Sequence, residues 1–435
     1  MSSRFNSYGK ESYQLMSGDS QYTTSKVQPK DFMSGWILAL IIAGTALSLP
    51  ILYLGSEIGL NLGFKKALVA FGISTSILTV MCMITTIIGN RTHLSTYMIL
   101  HFSFGEHGAK IVNFIFGTTL IGWFAVALEL LALAIKDTAL STFDIVIAQE
   151  LVVIVASIFI TITTFNGIKS LKRLANIAVP LLTLFLLYVL YLAMTNFDSS
   201  SELFNYVPTK DPMPLFKVVS ILVGASVLFP VLMADFSRFT KSDKHSLISV
   251  LGISIGTPIA LILSMIPSIQ TGEIDIIKIM SKYNLVLPSF ILLFVSTWVT
   301  NATNLYSSAL TYSTINKKWK FKYVVIVASI IGTFLAILGF SKYLFEFLEF
   351  LGIFAPSISA VYIIHFFFIK QQVYNLNEIQ LWEREAFIAW ILSSVISAMT
   401  FKEVFQITGA YFIDSIVLGA LIYLVLKRKE VSLFK

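Results

Sequence analysis

The chain has 435 residues, of which 56% are hydrophobic and 13% charged, with a formal net charge of +7 and a mean hydropathy of +0.81. Soluble domains carry about 25% charged residues, so the composition excludes a soluble globular protein and specifies an all-α integral membrane protein embedded in the lipid bilayer. The basic excess is scattered over short segments, which excludes a nucleic-acid-binding patch, and the single cysteine, Cys82, excludes an internal disulfide and is assigned to packing.

The first 33 residues are polar, rich in Ser, Tyr, Gln and Lys, and lack the apolar core of a secretory signal. A loosely ordered cytoplasmic tail is expected over 1–33. A spanning helix needs about 20 apolar residues. Twelve segments are expected to cross the membrane: 34–58, 67–89, 110–135, 145–165, 173–195, 215–236, 247–268, 287–312, 322–340, 344–369, 386–400 and 408–426. These are spans 1 to 12 below; span 11 is the shortest.

Span 1 contains GTALSLP, Gly44 to Pro50. In a helix interior Gly and Pro are disfavoured by about 1 and 3 kcal/mol relative to Ala. Span 6 contains GASVLFP, Gly224 to Pro230, with the same Gly-to-Pro spacing 180 residues later. One such pair reads as an ordinary kink. Two in register predict discontinuous helices 1 and 6 related by an internal repeat. An offset of five spans, an odd number, makes equivalent helices cross in opposite directions, which is the inverted-topology pattern of secondary transporters. The expected organisation is a first repeat over 34–195, a second over 215–369, two additional helices within 370–427, and a short tail at 428–435. Unwound backbone at membrane depth is tolerated where it is buried or lines a cavity, so the two breaks are expected to form a binding site.

Spans 3 and 8 occupy matching places in the two halves. Span 3 holds GTTLIGWF, Gly117 to Phe124, and further along it an intramembrane acid, Glu129, roughly 120° around the helix from Trp123. Span 8 places Ser296, Thr300, Thr303 and Ser307 on one helix face, with Asn301 and Asn304 beside it. Singly, such hydroxyls often bond only their own backbone; as a stripe they suggest a polar cavity wall. Glu57 ends the second half of span 1. Ionisable groups in spans are functional hypotheses, which makes Glu129 and Glu57 the proton-coupling candidates. Asp235, close to Arg238 at the end of span 6, reads instead as a structural ion pair. The chain contains no HExxH, paired CxxC, Walker loop or GxSxG, so it is expected not to be an enzyme and to need no cofactor.

Of the 31 Lys and Arg residues, 22 fall in alternate loops on the side of the N-terminus. Positively charged loops stay cytoplasmic, so both termini are expected in the cytoplasm and the protein in the cell membrane.

With these residues assembled, the chain resembles the nucleobase:cation symporter family 1, closest to its cytosine permease branch. The resemblance rests on an ordered set: THL (92–94) and FSFGEHGAK (102–110), resembling the loop before helix 3; GWF (122–124); ADFSRF (234–239); WVTNATNLYSSAL (298–310); and FLGIFAP (350–356). It covers about residues 34–370. It implies a LeuT-like fold of five plus five inverted helices followed by two more, and transport of cytosine, uracil, purines, allantoin or hydantoins with sodium or protons. The substrate would lie between helices 1, 3, 6 and 8. Carried over by position, Trp123 stacks on the substrate ring, and Leu120 stands where the family has a hydrogen-bonding glutamine. Ser48, Gly224, Ala225, Ser226 and Phe229 supply the helix-break walls, and Asn301 and Asn304 the polar contacts. The sodium ligands would fall at Gly44, Leu47, Ser296, Val299 and Thr300, where Val299 lacks the expected hydroxyl. The alternatives are an amino-acid transporter of the same fold and a non-transporting membrane receptor.

Overall fold

The structure, a computed structural model, describes residue 22 and residues 25–165, 167–208, 211–316, 318–375 and 379–431. Most of the expected 1–33 tail, Lys317 and the last four residues of the 428–435 tail lie outside the described residues. Among the described residues no strand forms; a single bridge joins Met33 and Thr240.

Span 1 is two helices, α1 (Gly35–Ala46) and α2 (Leu49–Leu62), bent by 58° at the break. Then follow α3 (Phe64–Thr92), α4 (Thr96–Phe143), α5 (Gln149–Thr164), α6 (Ile168–Thr195) and the short α7 (Ser200–Phe204). Span 6 is α8 (Leu215–Ser226), α9 (Leu228–Leu232) and α10 (Ala234–Ser237). The chain continues through α11 (Asp243–Thr271), the short α12 (Ile276–Lys282), α13 (Val286–Ile315) and α14 (Phe321–Ile337). It ends with α15 (Leu344–Ile364), α16 (Arg384–Phe401) and α17 (Tyr411–Leu426). Among the described residues, eight helices are long and apolar enough to cross a membrane and the bent α1–α2 pair makes a ninth; α5, α14 and α17 are shorter apolar helices.

The two Gly–Pro motifs fold differently. At Leu47 (φ −80°, ψ 50°) and Ser48 (φ −108°, ψ 155°) the backbone leaves helical space. At Val227 (φ −62°, ψ −25°) and Met233 (φ −59°, ψ −29°) it stays right-handed helical, and Leu215–Ser237 runs as one span. The second expected break is therefore a loosening of the hydrogen-bond ladder rather than an unwound segment. The stretch expected as a loop before span 3 is also corrected: it is helical on both sides of a kink at Gly105 (φ 77°, ψ 171°). There a Cβ would lie 2.7 Å from the Trp382 backbone, and the Glu106 and His107 amides donate to Gln380 and Leu381 carbonyls at 2.8 and 3.0 Å.

The helices pack as two groups. α11 lies against α1, α2 and α3, and α3 against α8 and α10; α4 lies against α13, α14 and α5, and α13 against α14 and α5. On the face that carries the basic loops the groups are tied together. Arg238, fully buried, donates to the Tyr22 carbonyl (2.7 Å), the Tyr306 hydroxyl (3.3 Å) and the Asp235 carbonyl (3.2 Å). The Asp235 carboxylate accepts from the Thr96 amide at 2.8 Å. The N-terminal segment seals this face: Val27 N–H donates to His93 O (3.1 Å), Met33 N–H to Phe239 O (2.6 Å), and Phe32 stacks on His93 at 4.6 Å.

Candidate functional site

A cavity with an empty volume of about 590 Å³ lies between the two groups. The α1–α2 break contributes Thr45, Ser48 and Ile51; α4 contributes Leu120 and Trp123. The span-6 helices contribute Ala225, Leu228, Phe229, Leu232 and Phe236, and α13 contributes Thr300, Thr303, Asn304 and Ser307. Among the described residues, none that lines it is charged. Trp123 is held edge-on against Phe347 (5.6 Å, 66°), which leaves the indole fixed for a planar partner.

The polar groups sort by what they already bond. Thr45 Oγ1 donates to Ile42 O (2.7 Å) and Thr303 Oγ1 to Val299 O (2.9 Å), each within its own helix. Thr300 Oγ1 is buried with no hydrogen-bond partner among the described residues. Asn304 is the one carboxamide in the lining. It presents a donor and an acceptor side by side, the complement of a ring edge that pairs N–H with C=O or ring nitrogen.

Six of the nine expected substrate residues line the cavity: Ser48, Leu120, Trp123, Ala225, Phe229 and Asn304. Gly224, Ser226 and Asn301 do not. Gly224 is where α8 touches α15: a Cβ there would lie 2.2 Å from Leu348 O. Ser226 is buried away from the cavity. Asn301 turns to α4 and donates to Phe124 O at 3.2 Å. Leu228, Leu232 and Phe236 were missed. With Ala225 and Phe229 they form a stripe at helical spacing, which becomes visible once span 6 is read as continuous helix.

Of the five expected sodium ligands, Leu47 and Ser296 meet at the α1–α2 break, and Val299 packs beside Gly44. Ser296 Oγ donates to Leu47 O. A Cβ on Gly44 would lie 2.7 Å from Val179 Cγ2 and 3.2 Å from Val299 Cγ1, so apolar side chains fill the space beside it. Among the described residues no group of three His, Cys, Asp or Glu side chains could hold a metal.

Of the proton-coupling candidates, Glu57 is half-buried on α2. Glu129 accepts from the Ser341 amide and the Ser341 hydroxyl, both at 2.7 Å. It joins α4 to the turn before α15, at the rim of a wider recess of about 1130 Å³ lined by Leu49, Tyr53, Leu130, Asp275, Ser341 and Lys342 among others.

Residues 27–425 match the profile of the permeases for cytosine/purines, uracil, thiamine and allantoin. The cytosine permease of Escherichia coli (strain K12) is 25% identical over 414 residues, covering 94% of this chain and 95% of that protein. The hydantoin permease of Microbacterium maritypicum is 22% identical over 364 residues, covering 79% and 74%. Among solved structures, the nucleobase-cation-symport-1 transporter Mhp1 in a closed conformation with bromovinylhydantoin bound superposes with a TM-score of 0.83 at 18% identity, covering 94% of this chain and 96% of that one. Inward-facing Mhp1 superposes less well, at 0.78.

Proposed function

The chain belongs to the family of permeases for cytosine/purines, uracil, thiamine and allantoin, and we propose that it imports a neutral, planar nitrogen heterocycle by cation-coupled alternating access. It is a multi-pass membrane transporter with the fold of Mhp1. One observation carries the substrate reading: an uncharged cavity with a fixed indole, Trp123, and a single carboxamide, Asn304. Stacking a base on an aromatic ring contributes about 1–3 kcal/mol. Leu120 narrows the class. A polar ring atom facing it would go unpaired, at a cost of about 1–3 kcal/mol, so the ring presents its hydrogen-bonding edge to Asn304 and Thr300 and an apolar edge to Leu120. A zwitterionic amino acid would find no charged side chain here, and Pro50 removes one of the N–H groups that the start of α2 would otherwise offer to a carboxylate.

In this reading α5, α14 and α17 also cross the membrane, giving twelve spans with the basic face and both termini in the cytoplasm. The repeats 34–195 and 215–369 are inverted, with two further helices in 370–427. The α1–α3, α8–α11 group rocks against α4, α5, α13 and α14 around the cavity. Release to the cytoplasm requires the Arg238 contacts to Tyr22 and Tyr306 to part.

We propose that the coupling cation is a proton. Hard cations such as sodium need several oxygen ligands, by the logic that holds for calcium and magnesium. Val299 supplies no side-chain oxygen at one of the five expected positions, and the Ser296 hydroxyl is already engaged in donating to Leu47 O. Protonating Glu129 would remove the charge from its two bonds to Ser341 and loosen the turn before α15; Glu57 is the other carrier.

Thermal-shift binding to the purified protein, against cytosine, uracil, purines, hydantoins, allantoin and amino acids, tests the substrate class. At least one heterocycle should raise the unfolding midpoint. A shift from amino acids alone overturns the reading. Uptake into proteoliposomes tests the cation: an inward proton gradient should drive accumulation equally well in sodium or potassium, and the Gln variant of the true carrier, Glu129 or Glu57, should lose that drive. Uptake that stops when sodium is replaced overturns it.

A further inference from the structure

Outside the transport pathway, a large apolar recess lies between α4 and α14, capped by residues 318–320 at the basic face. Its empty volume is about 1190 Å³. Its walls are Phe114 and Ile121 on α4 and Val327, Ile331 and Leu335 on α14, with Phe114, Val327 and Ile331 exposed. These are surfaces for hydrocarbon. The mouth has the opposite character: Lys318 and Lys320 line it, Trp319 lies between them, and Tyr323 is 65% exposed just inside. No carboxylate lines the recess, and neither lysine forms an ion pair among the described residues. Trp and Tyr favour the headgroup level of a bilayer, and basic pockets between spanning helices on the positive side attract anionic headgroups.

We propose that this recess is a binding site for one anionic diacyl phospholipid. Its phosphate sits between Lys318 and Lys320, and an acyl chain runs along Val327 and Ile331 toward Leu335. The floor gives the site a route to transport. Tyr312 of α13 lies in it, and its hydroxyl is 2.8 Å from Thr118 Oγ1 of α4. A Cβ on Gly117 would lie 2.6 Å from the Tyr312 ring. A lipid here braces α14 against the same α4–α13 pair that carries Trp123 and Asn304. This inference does not depend on which heterocycle is carried.

The test uses full-length protein in neutral detergent and compares added phosphatidylglycerol, phosphatidylcholine and inorganic phosphate by unfolding midpoint. Phosphatidylglycerol should stabilise the wild type beyond phosphatidylcholine, and phosphate alone should do nothing. K318Q/K320Q should keep the lipid-free midpoint and weaken apparent phosphatidylglycerol affinity about fivefold per lysine removed. Val327→Trp, which fills the recess without touching charge, should abolish the lipid-specific shift. Equal stabilisation by the two lipids, an undiminished preference in K318Q/K320Q, or a phosphate shift equal to that of phosphatidylglycerol would each overturn the site.

Discussion

GTALSLP and GASVLFP place Gly and Pro at the same spacing, yet α1 and α2 part at 58° while α8 to α10 keep helical backbone angles throughout. Proline is common to both, so proline alone does not break the helix. It removes one N–H, the partner of the carbonyl four residues earlier (Ala46 or Ser226), so the outcome depends on what holds the other carbonyls around each break. In span 6 the Tyr362 hydroxyl of α15 donates to Pro230 O (3.2 Å) and Val231 O (3.0 Å), so the ladder loosens without opening. In span 1 the Ser296 hydroxyl of α13 takes Leu47 O, and the chain turns there. Each motif is completed by a different helix: span 6 by α15, span 1 by α13, which also carries Thr300 and Asn304.

The glycines should separate the two regions most widely. In Gly224→Ala the new Cβ meets a main-chain carbonyl, Leu348 O, at 2.2 Å, which only movement of a whole helix relieves. In Gly44→Ala it meets the valine methyls of Val179 and Val299, which can rotate away. Overpacking costs about 1–3 kcal/mol. Gly224→Ala should lie at the top of that range and Gly44→Ala at the bottom, read as unfolding midpoints in detergent. Equal midpoints would show that α8 and α15 are not in rigid contact. Trp123→Ala comes next. Losing the stacking surface should weaken heterocycle binding by about 2 kcal/mol, roughly thirtyfold, measured as a dissociation constant. An unchanged constant would move the substrate away from α4. Tyr362→Phe then strips the donor from two buried carbonyls, at about 1–2 kcal/mol. It should lower the midpoint and speed amide exchange over 230–236 while leaving exchange at 47–52 unchanged.

Much of this was legible before the fold. Hydropathy placed several spans to within a few residues, as at 67–89 against Phe64–Thr92 and 322–340 against Phe321–Ile337, whereas span 3, expected at 110–135, lies inside the longer Thr96–Phe143. A bilayer forces long apolar runs to be helical, so that signal is local. The α13 stripe was also legible, because Thr300, Thr303 and Ser307 share one helix face and the cavity meets that face. The lining of span 6 was legible only in part: Ala225 and Phe229 were expected, but Leu228, Leu232 and Phe236 were not. Expecting an unwound segment drew attention to Gly224 and Ser226, whereas an intact helix presents Ala225, Leu228, Phe229, Leu232 and Phe236. Nor do local residues separate Asn304, which lines the cavity, from Asn301, which is spent on Phe124 O. That difference lies in how α13 packs on α4, and packing is not written in one segment. The same holds for Val299: its missing hydroxyl is plain in the sequence, but the Ser296 bond to Leu47 O beside it is not.

The smallest predicted effect separates local from tertiary causes. At the 180-residue offset Ser48 corresponds to Leu228. Ser48 holds the extended conformation of a helix N-cap, though its side chain makes no cap bond; Leu228 stays helical. Leu exceeds Ser in helix propensity by about 0.5 kcal/mol, roughly a twofold shift in population. Leu228→Ser should therefore speed amide exchange over 226–232 only about twofold and leave span 6 unbroken. If the break is tertiary in origin, Ser296→Ala should do more at span 1, slowing exchange at 48–52 as the freed Leu47 carbonyl returns to the helix ladder. A large opening in Leu228→Ser with no change in Ser296→Ala would reverse the assignment. The serine in GTALSLP, rather than its partner on α13, would then be what divides the helix.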